Sequence, residues 1–173
     1  MSNCLFQAGS IPTTASVTNP LGYFYNALEL NLVDTKFLLQ SRGSNYHNIS
    51  CLYLNYSTDA YIRGCSFTNG KIAVHLDNSC RYFRLIGNTY ERIPTATQGA
   101  ASSPALSGCY CVKVSGTSDR HALRGIIMEV PYSEINSSVR LEYADKIQVI
   151  GGFTTLSQAN STNNVLNSWL TSW

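Results

Sequence analysis

Charge is scarce in this chain. Asp, Glu, Lys and Arg make up 13% of its 173 residues, against roughly a quarter in ordinary globular domains. The formal net charge is +2, too small to argue for attachment to nucleic acid or to an anionic membrane surface. Long apolar runs are also missing, and none reaches the roughly 18 residues that a membrane-spanning helix needs. Met1 to Ser10 carries neither a basic segment nor a long apolar stretch. No secretory leader is read there, and a protein assembled in the cytoplasm, or an excised fragment, is expected. The repeat region shows no sustained 3.6-residue periodicity, which argues against a helical repeat. A glycine-rich phosphate loop, a nucleophile elbow and an HExxH helix are absent as well.

Polarity comes instead from Asn, Ser, Thr, Gly and Tyr. A neutral surface rich in hydrogen-bonding groups suits both elongated β proteins and sugar-binding proteins. Six cysteines are present, Cys4, Cys51, Cys65, Cys80, Cys109 and Cys111, and without a leader they are expected as free thiols. The one-residue gap of Cys109-Tyr110-Cys111 does not match a zinc knuckle, and no second pair or histidine cluster completes a site. No metal or cofactor is expected. Sequons at Asn48, Asn55, Asn136 and Asn160 read as ordinary polar positions.

A repeat runs through the middle of the chain. Gly43, Gly64, Gly87, Gly125 and Gly151 follow one another at similar steps, except that the step from Gly87 to Gly125 is much longer. Tyr46, Phe67, Tyr90 and Met128 lie three residues after the first four, and Phe153 lies two after the fifth. Ten or eleven residues before each glycine stands Leu32, Leu54, Leu76, Val114 or Leu141. Two residues earlier come Leu30, Leu52, Val74, Val112 and Val139. Their alternation with polar neighbours has the period of two that turns one set inward. Polar bends follow, such as Ser57-Thr58-Asp59 and Asn78-Ser79, and then a second short strand runs into the glycine. Ile62, Leu85, Leu123 and Val149 are expected to share its inward row.

Two short strands and a third segment in each short lap give the arithmetic of a parallel β-helix. The expectation is an all-β chain: a right-handed, single-stranded parallel β-helix of about five to six turns. The helix would occupy residues 22–154, with a proline-bearing excursion at 94–108 that explains the long step to Gly125. Residues 1–21 would form an N-terminal cap or lead-in, and 155–173 a cap or subunit contact, because open strand ends need covers. Leu166, Trp169, Leu170 and Trp173 have the spacing of a short amphipathic helix, with capping of the last turn preferred over contact with a neighbouring subunit.

Ile62-Arg63-Gly64-Cys65-Ser66-Phe67 and Leu85-Ile86-Gly87-Asn88-Thr89-Tyr90 resemble the turns of bacteriophage tailspikes and pectate-lyase-like right-handed β-helix proteins. The resemblance covers roughly residues 22–154. It implies a viral protein of the tail, a homotrimer assembled in the host cytoplasm. Such a protein binds or cuts bacterial surface polysaccharide and has other tail proteins as partners. Head-binding and terminal domains of complete tailspikes are not evident, which fits a fragment or a short accessory spike.

The repeat also nominates site residues. Arg42, Arg63, Arg84 and Arg124 would share an outer face with Tyr61. Arginine forks grip carboxylates or sulfates at two points and tyrosine packs on sugar rings, so an acidic glycan is one reading. A solvated strand face or salt bridges between subunits is the other. The outward row Asn31, Tyr53, His75, Lys113, Arg140 reads as surface, with His75 as a candidate general base. Asp77 and Glu142 lie two turns apart, about 9.6 Å by strand spacing, at the edge of the range for an inverting glycosidase. The same two residues also fit ordinary turn positions. The leading expectation is a non-enzymatic receptor-binding module for bacterial polysaccharide. A depolymerase on the same scaffold and a purely structural spike segment remain alternatives.

Overall fold

The computed structural model describes residues 1–8, 19–39, 47–91, 109–116, 123–130, 138–152 and 155–168. Strands are the regular elements there, and no helix occurs among these residues. The chain opens with β1 (Leu5–Ala8), β2 (Gly22–Tyr25), β3 (Asn31–Val33) and β4 (Lys36–Leu39). A second group comprises β5 (His47–Asn55), β6 (Tyr61–Arg63) and β7 (Ser66–Thr68), and a third β8 (Gly70–Asp77), β9 (Arg84–Ile86) and β10 (Thr89–Glu91). Then come β11 (Tyr110–Ser115), β12 (Leu123–Arg124) and β13 (Ile127–Val130), followed by β14 (Ser138–Glu142), β15 (Ala144–Asp145) and β16 (Gln148–Gly151). The last two are β17 (Thr155–Ala159) and β18 (Val165–Ser168).

All pairings between these strands are parallel. One six-stranded sheet orders β2-β5-β8-β11-β14-β17, and a second orders β3-β6-β9-β13-β16-β18. A four-stranded sheet orders β1-β4-β7-β10, and β12 pairs β15. From β2 to β10 the chain visits the first, second and four-stranded sheets in rotation, each strand pairing with the strand one visit earlier. This all-β, parallel arrangement is compatible with the expected parallel β-helix.

The core is built from rows that run across the strands. Leu54, Leu76, Val114 and Leu141 are register partners in the first sheet, and all are fully buried. Leu52, Val74, Val112 and Val139 form the row beside them. In the four-stranded sheet Phe6, Phe37, Phe67 and Tyr90 stack ring on ring, with centroids 4.9, 5.1 and 5.7 Å apart. Each such aromatic pair contributes about 0.5–1.5 kcal/mol beyond its buried area.

Between sheets the chain turns corners, and each corner needs a residue at positive φ. Glu29, Asp59, Tyr82, Gly125, Lys146 and Asn163 occupy one such column, with φ between 54 and 66°. Asn26, Tyr56, Asn78, Tyr143 and Asn160 occupy another, and Asn3, Asp34, Gly64 and Gly87 a third. Side chains complete the ladder where it breaks. Ser57 Oγ accepts from Ala27 N at 3.1 Å and donates to Asn55 O at 3.1 Å. Ser161 Oγ repeats the device, accepting from Ala144 N and donating to Ala159 O. Asn88 accepts from Cys65 N and donates to Ile62 O, both at 3.0 Å.

The constant register expected from the glycines is corrected in four places. Gly64 and Gly87 share a corner, but Gly125 sits at a different corner, level with Tyr82, and Gly151 pairs Val130 within the second sheet. Leu32 pairs Ile62 in the second sheet, and Phe24 takes the place beside Leu54. The inward row of that sheet is Leu32, Ile62, Leu85, Met128, Val149 and Leu166, so Met128 stands where Leu123 was expected. Residues 165–168 are a strand on β16, not the start of a helix. The free edge of β16 offers backbone partners, as in Val165 N to Ile147 O at 2.9 Å, which a helix there would leave unpaired. Gly43, Tyr46, Phe153, Trp169, Leu170, Trp173 and the excursion at 94–108 lie outside the described residues. The physical reason for the drift is lap length. Successive register steps run from Phe24 to Leu54, then to Leu76, Val114, Leu141 and Gln158, so no single period aligns them.

The corner columns make opposite predictions for two substitutions. At Gly87 (φ 62°) an added Cβ meets nothing within 4 Å, so Gly87→Ala sets the left-handed cost of about 1–2 kcal/mol against about 0.5–1 kcal/mol of backbone entropy saved, leaving a net loss of several tenths. Lys146→Gly removes that cost at an exposed corner (φ 55°) but adds backbone entropy of about 0.5–1 kcal/mol, leaving a net gain of several tenths. Urea unfolding of both variants checks the pair; loss of stability in Lys146→Gly would overturn the corner argument.

Candidate functional site

The outer face of the first sheet carries the densest polar constellation. Because Leu52, Leu54, Val74 and Leu76 point inward, Tyr53, His75 and Asp77 point outward. Register makes one outer row of Tyr23, Tyr53, His75, Lys113, Arg140 and Ser157. The expected Asn31 is not in this row, since it pairs Tyr61 in the second sheet. The next outer row begins Tyr25, Asn55, Asp77, Ser115.

Asp77 is the hub. Its Oδ2 accepts from Tyr53 OH at 2.5 Å, and its Oδ1 accepts from Ser115 Oγ at 3.1 Å and from Asn78 N at 2.8 Å. His75 Nε2 lies 2.6 Å from Ser115 Oγ, and the His75 ring meets Tyr53 edge-on at 4.7 Å. Burial, then the hydrogen bond to Asp77 and its charge, push the Tyr53 phenol well above its usual range. Burial, reinforced by the Lys113 charge and opposed by Asp77 and Glu142, lowers His75 to about 4. His75 is therefore neutral at pH 7.

Glu142 lies one position past the Val114–Leu141 pair, alongside Ser115 and two strand spacings from Asp77. The expected separation of about 9.6 Å thus follows from the register. Both carboxylates are engaged, however. Glu142 binds Arg140 Nε at 2.9 Å and Lys113 Nζ at 3.6 Å, and Ser115, only 7% exposed, stands on the strand between the two acids. Inverting hydrolysis needs a protonated acid and room for a water. Here the acids brace a cross-strand network.

The arginine set divides. Arg63 and Arg84 are exposed on the second sheet; Arg84 pairs Tyr61, and the Arg63 guanidinium lies 5.7 Å from the Tyr61 ring centre. Arg124 is not in their rows. It is the register partner of Arg81 and Asp145 at the neighbouring corner, over the Tyr82 ring at 6.0 Å. Arg42 lies outside the described residues.

Three tyrosines missed in the sequence gather around Tyr53, on the first two strands of the first sheet and the corner beyond. Tyr23, Tyr25 and Tyr56 are 54%, 61% and 45% exposed. Tyr23 packs on Tyr53 at 5.5 Å and Tyr25 meets Tyr56 edge-on at 5.7 Å. Asn55 beside them is fixed by Asn78 Nδ2 at 2.6 Å. The signal was the alternation of Tyr23-Phe24-Tyr25, which matches Tyr53-Leu54-Asn55 on the next lap.

Among the described residues no group of three or more His, Cys, Asp or Glu is placed to hold a metal ion. Comparison with protein-family models, curated proteins and solved structures finds no match to the chain.

The lowered His75 pKa sets a pH dependence. The unfolded chain takes up this proton near pH 6.5 and the folded chain only near 4. The histidine's contribution to stability is therefore fully present above 6.5 and is lost as pH falls to about 4. The slope in that window approaches 2.303RT per pH unit for one proton. His75→Gln should flatten the curve of unfolding free energy between pH 6.5 and 4 relative to wild type; parallel curves would show that His75 is not held neutral.

Proposed function

We propose that the chain is a right-handed parallel β-helix of about six laps that serves as a tailspike-type receptor-binding module. It holds bacterial surface polysaccharide on its outer faces and does not cut it. The rotation of the chain among parallel sheets supports the coil, and parallel crossover connections are right-handed in nearly all proteins. On this reading the module acts as a homotrimer in a virion tail, beside other tail proteins, and is assembled in the host cytoplasm.

The observation that carries the binding function is the tyrosine cluster: exposed Tyr23, Tyr25 and Tyr56 around Tyr53, beside fixed amide and carboxylate groups. A sugar presents an apolar C–H face and a rim of hydroxyls. Exposed rings cover the first, and the Asn55 amide, held in place by Asn78, suits the second. The saturated contacts of Asp77 and Glu142 favour binding over hydrolysis.

Purified capsule and lipopolysaccharide preparations, immobilised and titrated with the full chain, test this. Binding without new reducing ends or an unsaturated chromophore is expected. Tyr25→Ala/Tyr56→Ala should weaken it about tenfold or more while circular dichroism is unchanged. A double variant that binds as wild type places the site elsewhere, and release of sugar fragments makes the protein a depolymerase. Sedimentation reports on the trimer.

A further inference from the structure

A second surface points to the charge of the ligand. Arg81 and Arg124 face each other directly across an isolated parallel bridge at the corner. Like charges placed directly opposite destabilise a sheet, so such a pair calls for a compensating anion. Arg84 lies three residues beyond Arg81 on the same lap, and Arg63 is one lap away on the same sheet as Arg84. Both ion pairs formed between described residues, Lys113–Glu142 and Arg140–Glu142, lie on the first sheet, and neither engages these four arginines.

Three acids near these arginines make hydrogen bonds of their own. Asp145, register partner of Arg124, accepts from Thr162 Oγ1 and Asn163 Nδ2 at 3.2 and 2.8 Å. Asp59 accepts from Thr58 Oγ1 at 3.2 Å, and Glu129 accepts from Gly87 N at 2.9 Å. Two guanidinium groups are held by rings, Arg63 by Tyr61 and Arg124 by Tyr82. Arg124 Nε is buried without a hydrogen-bond partner, an orphan donor inside the cluster.

We infer that Arg81, Arg124, Arg84 and Arg63, with the rings of Tyr61 and Tyr82, form a binding site for an acidic polysaccharide. The inference rests on the polysaccharide reading above and names the charge class of the ligand. Charge complementarity selects an anion. The spread of arginines over three laps selects a polymer with repeated carboxylates or sulfates over a single small anion, since each fork takes one such group at two points. The flanking rings receive the sugar between charges.

The test uses the full chain against immobilised polygalacturonate, dextran sulfate, uncharged dextran and a short DNA duplex, at low salt and at about 150 mM, where exposed charges are screened beyond about 8 Å. One or both acidic polysaccharides should bind, more weakly at the higher salt, and dextran should not bind at this face. Arg81→Gln/Arg124→Gln should lose about tenfold in affinity or more, whereas Lys36→Gln/Lys71→Gln, which removes the same charge elsewhere, should not. Preference between the two acidic polymers separates carboxylate from sulfate recognition. Equal loss in the lysine variant, tighter binding of DNA, dextran binding that depends on the arginines, or dissociation of an oligomer in the arginine variant would each overturn the site. If the arginines prove irrelevant while Tyr25→Ala/Tyr56→Ala still abolishes capsule binding, only this inference falls. If no polysaccharide binds at all, both readings fall together.

Discussion

Everything in this structure depends on backbone register being kept from each strand to its parallel neighbour, including where the chain passes from one sheet to the next. Within a strand the parallel ladder does this by itself. At a corner the ladder breaks, and two devices restore it. One is a residue in the left-handed region, repeated at the same point of each lap, as in Glu29, Asp59, Tyr82, Gly125, Lys146 and Asn163. The other is a short polar side chain that stands in for a missing backbone partner, as Ser57, Asn88 and Ser161 do. With register held, like packs on like: aliphatic rows line two sheets and a stack of aromatic rings lines a third.

The same register builds the outer faces. Residues far apart in sequence become neighbours at one strand spacing. His75 reaches Ser115 across 40 residues, and Asp77 gathers Tyr53 from 24 residues before it. Such faces can be polar without being charged, which fits the sparse ionisable composition. Where charge does collect, it is segregated. Lys113 and Arg140 share Glu142 on the first sheet; among the other described arginines, Arg81 and Arg124 meet at the corner that leads to the second sheet, and Arg84 and Arg63 lie on that sheet.

Part of this was legible beforehand. Leu54, Leu76, Val114 and Leu141 could be stacked from sequence because alternation at period two marks inward residues and their laps share one strand type. The pairing of Asp77 with the lap of Glu142 came from the same rows. The glycine signal misled further out. A glycine announces a corner but not which corner, and at most corner positions Asn, Asp, Tyr, Glu or Lys adopts the same conformation unannounced. That is why Arg124, one residue before Gly125, was grouped with Arg63 when it belongs beside Arg81. The tyrosine cluster was missed because the first lap is longer than the period used to align it.

Alternation, turn chemistry and the lack of 3.6-residue periodicity therefore determined the strand-rich class, the direction of most core side chains and the polar, weakly charged surface. These are local properties, written in neighbouring residues. Which strands lie side by side, which arginines share a surface and whether Val165–Ser168 coils or extends were decided only in the tertiary structure. Lap length varies along the chain: equivalent corner partners lie 30 residues apart at Ala27 and Ser57 but only 17 apart at Ala144 and Ser161. A free strand edge with unpaired backbone groups then outweighs the weak helical preference of the short segment Val165–Ser168.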